Sequence, residues 1–178
     1  MFKLALVGLL LLSATSDPFR INKPSRMKYA EMIVEYADNN NYDPQELLSI
    51  ASVESNFNPN AISSAGAVGL FQVKCKFWYK QTGYKSIAEC NKGLLEPRKN
   101  IKAGAMILTT FRKKYKQCEG TLAYRCYFAG ARWKRFKGKT AKQIIRYENK
   151  VKERRKVLHN PYYEKLVEEI RFRLRART

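Results

Sequence analysis

Residues 47–73 read LLSIASVESNFNPNAISSAGAVGLFQV, a run that sets one acid, Glu54, among apolar neighbours and follows it with small residues. Asp43 is placed to cap a helix, Pro44 to occupy its first position and Glu46 to complete a capping box, with Pro59 expected to stop it. Within that helix Leu47, Ile50, Ala51 and Glu54 recur at i, i+3, i+4 and i+7 and share one face. Glu54 therefore points where the core should lie. An unpaired carboxyl buried there keeps its proton, its pKa rising by up to ~3 to 5 units, and a proton held near neutral pH is what a general acid needs. The same pattern also suits a glutamate at the rim of the stripe, reaching water or paired with an arginine. The segment SSAGAVGLFQ, 63–72, puts Gly66 and Gly69 beside Ala65 and Ala67, so its backbone can come close to a ligand, and Gln72 ends it with a neutral donor and acceptor. A tight turn would use the same glycines.

The chain of 178 residues is long enough for one core and short for two. Helical periodicity dominates. Met27, Ala30, Ile33, Val34 and Tyr36 or Ala37 mark a first helix, the stretch above a second, and helices resume within 96–116, 120–130, 140–158 and 160–175. Residues 61–95 lose that regularity and are expected to form loops and a short hairpin. The expected fold is mainly α, a single domain of about six helices with a small irregular or β element after the second.

Residues 1–16 read as a secretory signal, with Lys3, an apolar run from Leu4 to Leu12 too short to span a bilayer comfortably, and small residues before Asp17. A domain over 17–157 and a basic C-terminal helix over 158–178 follow. Four cysteines, Cys75, Cys90, Cys118 and Cys126, suit an exported, periplasmic or extracellular chain and imply two disulfides. Three connectivities are possible; Cys75 with Cys90 and Cys118 with Cys126 is favoured because both loops are short. No C-x-x-C pair occurs and the single histidine, His159, lies in a polar turn, so neither a metal site nor a cofactor is expected.

Net charge is +20, and from Phe111 onward 22 Lys or Arg face six Glu. Such a surface suits a polyanionic partner, either an anionic envelope polymer or a membrane surface, or else it only keeps the protein soluble. FRKKYK, RWKRFKGK and VKERRK interleave aromatics with the charge, a pattern that also fits nucleic acid, which an exported protein rarely meets. The last helix spaces Tyr163, Val167, Ile170 and Leu174 along one side, to pack on its own domain or to engage a membrane or partner. A monomer is expected.

ESNFNPNAISSAGAVGLFQ, 54–72, resembles the signature of the soluble (SLT) type of lytic transglycosylase, on a lysozyme-like α+β fold related to goose-type lysozyme. Glu54, Ser55, Phe57, Asn58, Pro59, Ser63, Gly66, Ala67, Gly69, Leu70 and Gln72 all match that signature. Phe71 stands where the family usually has Met. Asn100, Ile101 and Gly104 resemble the family's Asn-Ile-x-x-Gly helix, and CYFAG resembles its Ala-Tyr-Asn-x-Gly motif with Cys126 for Ala and Phe128 for Asn. Tyr147 and Val151 resemble the last motif, with Gln143 where Glu is common.

The resemblance implies cleavage of peptidoglycan between N-acetylmuramic acid and N-acetylglucosamine, with Glu54 as the single catalyst and a 1,6-anhydro product. It also implies that Tyr127 holds Glu54 or its leaving oxygen, that Ser55 orients the helix end, and that Ser63, Gly69, Phe71, Gln72 and Tyr147 belong to the sugar site. A glycosidase that uses water normally needs a second carboxylate, about 5 to 9.5 Å from the first. The three Asp, at 17, 38 and 43, all precede Glu54, and this favours the single-acid route over a lysozyme.

Overall fold

Helix α1, Pro24–Asn39, opens on a proline whose missing N–H costs nothing at a helix start, and buries Ala30, Ile33, Val34 and Ala37. The structure, a computed structural model, describes residue 21 and residues 23–177; the expected signal segment, 1–16, lies outside the described residues. Helix α2, Pro44–Ser55, buries Leu47, Leu48, Ile50 and Ala51. Asp43 caps it, accepting from the Gln45 amide at 2.9 Å.

The expected capping box is only half made. Glu46 is 5 % exposed and turns away from the cap. It accepts two hydrogen bonds from the Arg112 guanidinium, at 2.8 and 2.6 Å, and one from the Tyr124 hydroxyl at 2.5 Å. A charged fork and a hydroxyl from distant elements satisfy a buried carboxylate better than one backbone N–H can. Nor does Pro59 end the helix: α2 stops at Ser55, because Asn56 and Phe57 both take left-handed backbone, at φ 54° and 61°.

Strands β1, Ala67–Val68, and β2, Val73–Lys74, form an antiparallel hairpin with Ala67 opposite Lys74 and Val68 opposite Val73. Ile62 bridges to Val68 alongside it. Two short helices, α3, Cys75–Trp78, and α4, Ile87–Gly93, lie where loops were expected, since four and seven residues are too few to display a helical period. The Cys75–Cys90 disulfide ties them together. Then come α5, Pro97–Lys114; α6, Leu122–Ala129; α7, Gly138–Leu158; and α8, Pro161–Arg175. Cys118–Cys126 joins the turn before α6 to that helix, so both short-loop pairings are present.

Helix α7 lies along α2 and also packs on α6 and α8, while α1 contacts α2, α5 and α8. One continuous apolar cluster runs through all of them. Helix α8 packs back on the domain: Tyr163, Val167 and Ile170 are buried, and Arg171 grips Asp38 of α1 through two bonds of 2.8 and 2.7 Å. The stripe that might have met a membrane is covered by the protein itself. Among the described residues no helix is long and apolar enough to cross a bilayer.

Candidate active site

Leu47, Ile50 and Ala51 are buried to within 1 %, and Glu54 extends their stripe by one turn to the end of α2, where it stays partly exposed. Burial pushes its carboxyl up to about 7, against the opposing pull of a Tyr147 hydrogen bond and the Lys74 charge. The Tyr147 hydroxyl donates to Glu54 Oε1 at 2.6 Å. Because α7 packs along α2, this tyrosine, 6 % exposed, meets the glutamate across 93 residues of sequence. Lys74 reaches the site from β2.

Tyr127, expected to hold Glu54 or its leaving oxygen, lies near the Glu54 charge, but its hydrogen bond goes to the loop. The Tyr127 hydroxyl donates to the Phe71 carbonyl at 2.8 Å and holds the loop beneath the acid. Burial, and then the nearby Glu54 charge, raise the pKa of Tyr127, and the same two influences lead in raising that of Tyr147. Both hydroxyls therefore keep their protons and act as donors.

Several residues expected at the sugar site make hydrogen bonds and packing contacts that build its frame. Ser55 Oγ donates to the Leu70 carbonyl at 2.8 Å, lashing the helix end to the loop. Ser63 Oγ accepts from the Ala67 amide at 3.0 Å. The Gln72 amide donates to the carbonyls of Ala61 and Gly69, both at 3.0 Å, and its own backbone is left-handed at φ 46°. The Phe71 ring is fully buried and packs on Gly104 rather than facing the cleft. At Gly69 a Cβ would fall 2.1 Å from the Asn100 side chain. Gly66 has open space around it.

Asn100 is the post on which the loop hangs. Fully buried, it accepts from the Phe71 amide at 2.7 Å and donates to the Val68 and Leu94 carbonyls at 2.9 and 2.7 Å. In the sequence Asn100 and Gly104 belong to a motif that names no task; the contact across 29 residues supplies one. Asn56, Phe57 and Gln72 cluster left-handed non-glycine backbone around the acid, conformations costing of order 1–3 kcal/mol each, which persist where packing over-determines them. For Phe57 that packing is its ring, 2 % exposed.

A partly buried, arginine-free carboxyl with a phenol on it and a cation nearby can give up a proton and take one back near pH 7. Residues 31–150, with Glu54, its loop and Tyr147 inside them, match the transglycosylase SLT domain. The chain belongs to this family. The membrane-bound lytic murein transglycosylase C of two Histophilus somni strains is 36 % identical over 92 residues, 49 % of this chain and 25 % of that protein. Among solved structures, the 70 kDa soluble lytic transglycosylase of Escherichia coli matches with a TM-score of 0.55 and 22 % identity over 70 % of this chain and 23 % of that one. Lytic transglycosylase Slt of Pseudomonas aeruginosa, in an inactive glutamate-to-glutamine form, matches with a TM-score of 0.52 and 21 % identity, over 83 % of this chain and 25 % of that one. These structural likenesses are likenesses of fold: mainly α and lysozyme-like. The SLT domain here spans about a quarter of the relatives' length.

Proposed function

We propose that this SLT domain is a lytic transglycosylase that cleaves the glycan strands of peptidoglycan with Glu54 as its only acid and base. Protonated Glu54 gives its proton to the glycosidic oxygen as the bond to C1 of N-acetylmuramic acid breaks, with the sugar's N-acetyl group assisting. The carboxylate then takes the proton of the C6 hydroxyl as that oxygen closes on C1. The product is a 1,6-anhydro sugar, and no water is consumed. Tyr147 steadies the carboxylate between the two steps.

The observation that carries this reading is the state of Glu54, compared with Glu46 and Glu148, the carboxylates buried among the described residues. Glu46 is held by Arg112, and Glu148 by Arg125 and Lys152. In both, burial pushes the pKa up, but the hydrogen bonds of these partners outweigh it and leave the group below its usual range. Glu54 is raised instead, and a single proton-holding acid suits a reaction that needs no second carboxylate. Two disulfides support an exported location.

The test is product analysis. Purified walls treated with the wild type are expected to release anhydro-muropeptides by mass spectrometry, and Glu54→Gln to lower that release by orders of magnitude with the fold intact. Reducing-end muramic acid in place of the anhydro form would make the enzyme a lysozyme. Undiminished release by the mutant would remove Glu54 from the mechanism.

A further inference from the structure

Phe128 lies in the last turn of α6, directly after Tyr127, where the SLT motif carries Asn. Its ring stacks on Tyr147, with centroids 4.9 Å apart and planes inclined by 25°, and Tyr147 in turn donates to Glu54. One face of Phe128 thus covers the tyrosine that touches the acid. The residue as a whole stays 40 % exposed, and unlike the more exposed Phe77, Phe136 and Phe172 it lies against the tyrosine bonded to Glu54. Keeping a phenyl ring in water forgoes the gain of burying its apolar area, a cost that the motif's asparagine would not carry. Among the described residues the ring partner of Phe128 is Tyr147, which is already held by its burial and its hydroxyl bond.

A pyranose ring offers the complement. Its axial C–H groups form an apolar face, while its hydroxyl and acetamido groups stay at the rim, so stacking on a phenyl covers both apolar surfaces and leaves the polar groups hydrated. We propose that Phe128 is a saccharide-stacking residue whose solvent-facing ring forms one wall of the cleft, against which an N-acetylhexosamine ring next to the scissile bond lies. The proposal rests on the lytic transglycosylase reading for its substrate class and deepens it by naming a specificity-determining side chain outside the matching motif positions.

The test separates binding from turnover. In the Glu54→Gln protein, calorimetric titration with a soluble N-acetylglucosamine tetramer is expected to show binding that Phe128→Ala weakens about tenfold, some 1.4 kcal/mol. Phe128→Leu, which keeps apolar bulk without a flat face, should weaken it similarly, and Phe128→Trp should retain it. In the active enzyme Phe128→Ala should raise KM on wall fragments without moving the pH profile of kcat. Absence of tetramer binding, or equal affinity in Phe128→Ala, overturns the proposal. So does a Phe128→Ala enzyme with unchanged KM and a displaced pH profile, since the ring would then only brace Tyr147. Failure of the reaction itself reads differently: no anhydro product from the wild type, with Phe128-dependent tetramer binding intact, leaves this subsite standing.

Discussion

At Glu54 the retained proton that the proposed reaction needs and the stability of the fold pull in opposite directions. The folded protein holds the proton up to about pH 7, while an ordinary glutamate gives it up near 4.5. Between those values the native state binds more protons than the unfolded one, so stability falls as pH rises through that window and the loss is complete above pH 7. Glutamine cannot ionise. Glu54→Gln is therefore expected to be more stable than wild type at pH 8, by on the order of 1–3 kcal/mol, and equal to it at pH 4. Urea melts at the two pH values measure this; an equal gain at both would trace it to packing instead. The apolar stripe leading to Glu54 was readable from spacing alone. That Tyr147 rather than Tyr127 touches it was not, because two tyrosines 20 residues apart look alike until the helices carrying them are packed.

Among the elements, the short hairpin and α5 form the joint that sets the acid's surroundings. α5 presents Asn100 to the Phe71 amide and, one turn later, Gly104 to the Phe71 ring, where a Cβ would come within 2.4 Å. Both contacts converge on the residue whose carbonyl receives Tyr127. Gly104→Ala must push Phe71 outward, an overpacking that costs typically about 1–3 kcal/mol, and the displaced loop should also cut wall-degrading activity at temperatures where the variant is still folded. Thermal melts and activity read together check this. A variant that melts lower yet retains full activity would show that the loop position does not matter to the reaction. Helices α1, α2 and α5 to α8 were visible as periodicity. α3 and α4 were hidden by their brevity, and the true end of α2 by left-handed residues whose identities, Asn and Phe, do not announce it as glycine would.

Across the whole molecule, basic residues divide into two populations. Arg112, Arg125, Arg155, Arg171 and Arg173 each pair with acids on other elements, and Glu46 alone links α2 to α5 and α6. On the outer side of α7, Lys139, Lys142, Arg146 and Lys150 are exposed at helical spacing, and the last three line an open groove of about 450 Å³ with Ile145, Asn149 and Glu153 completing its side. That side faces away from Ile144, Tyr147 and Val151, which are buried toward the core. An exposed basic face of this kind is expected to bind anionic surfaces electrostatically. The protein should sediment with phosphatidylglycerol vesicles at low salt and release as salt rises. Reversing Lys142, Arg146 and Lys150 to Glu should abolish sedimentation and leave cleavage of soluble fragments unchanged. Sedimentation equal to wild type would dismiss the surface.

The linear sequence determined the features written in neighbouring residues: the helical periods, the Asp43 cap, the acid at the end of an apolar stripe, the glycine-bearing loop and the two short disulfide loops. Each depends on spacings of a few residues, which the chain itself enforces. Tertiary structure decided which groups meet. It gave Glu46 to Arg112 instead of to its own helix cap, Tyr147 to Glu54, Asn100 to the loop after α2, and the C-terminal stripe to α1. Those pairings join residues 29 to 133 positions apart, and burial, which makes a bond between such distant groups worth forming, exists only once the helices have packed.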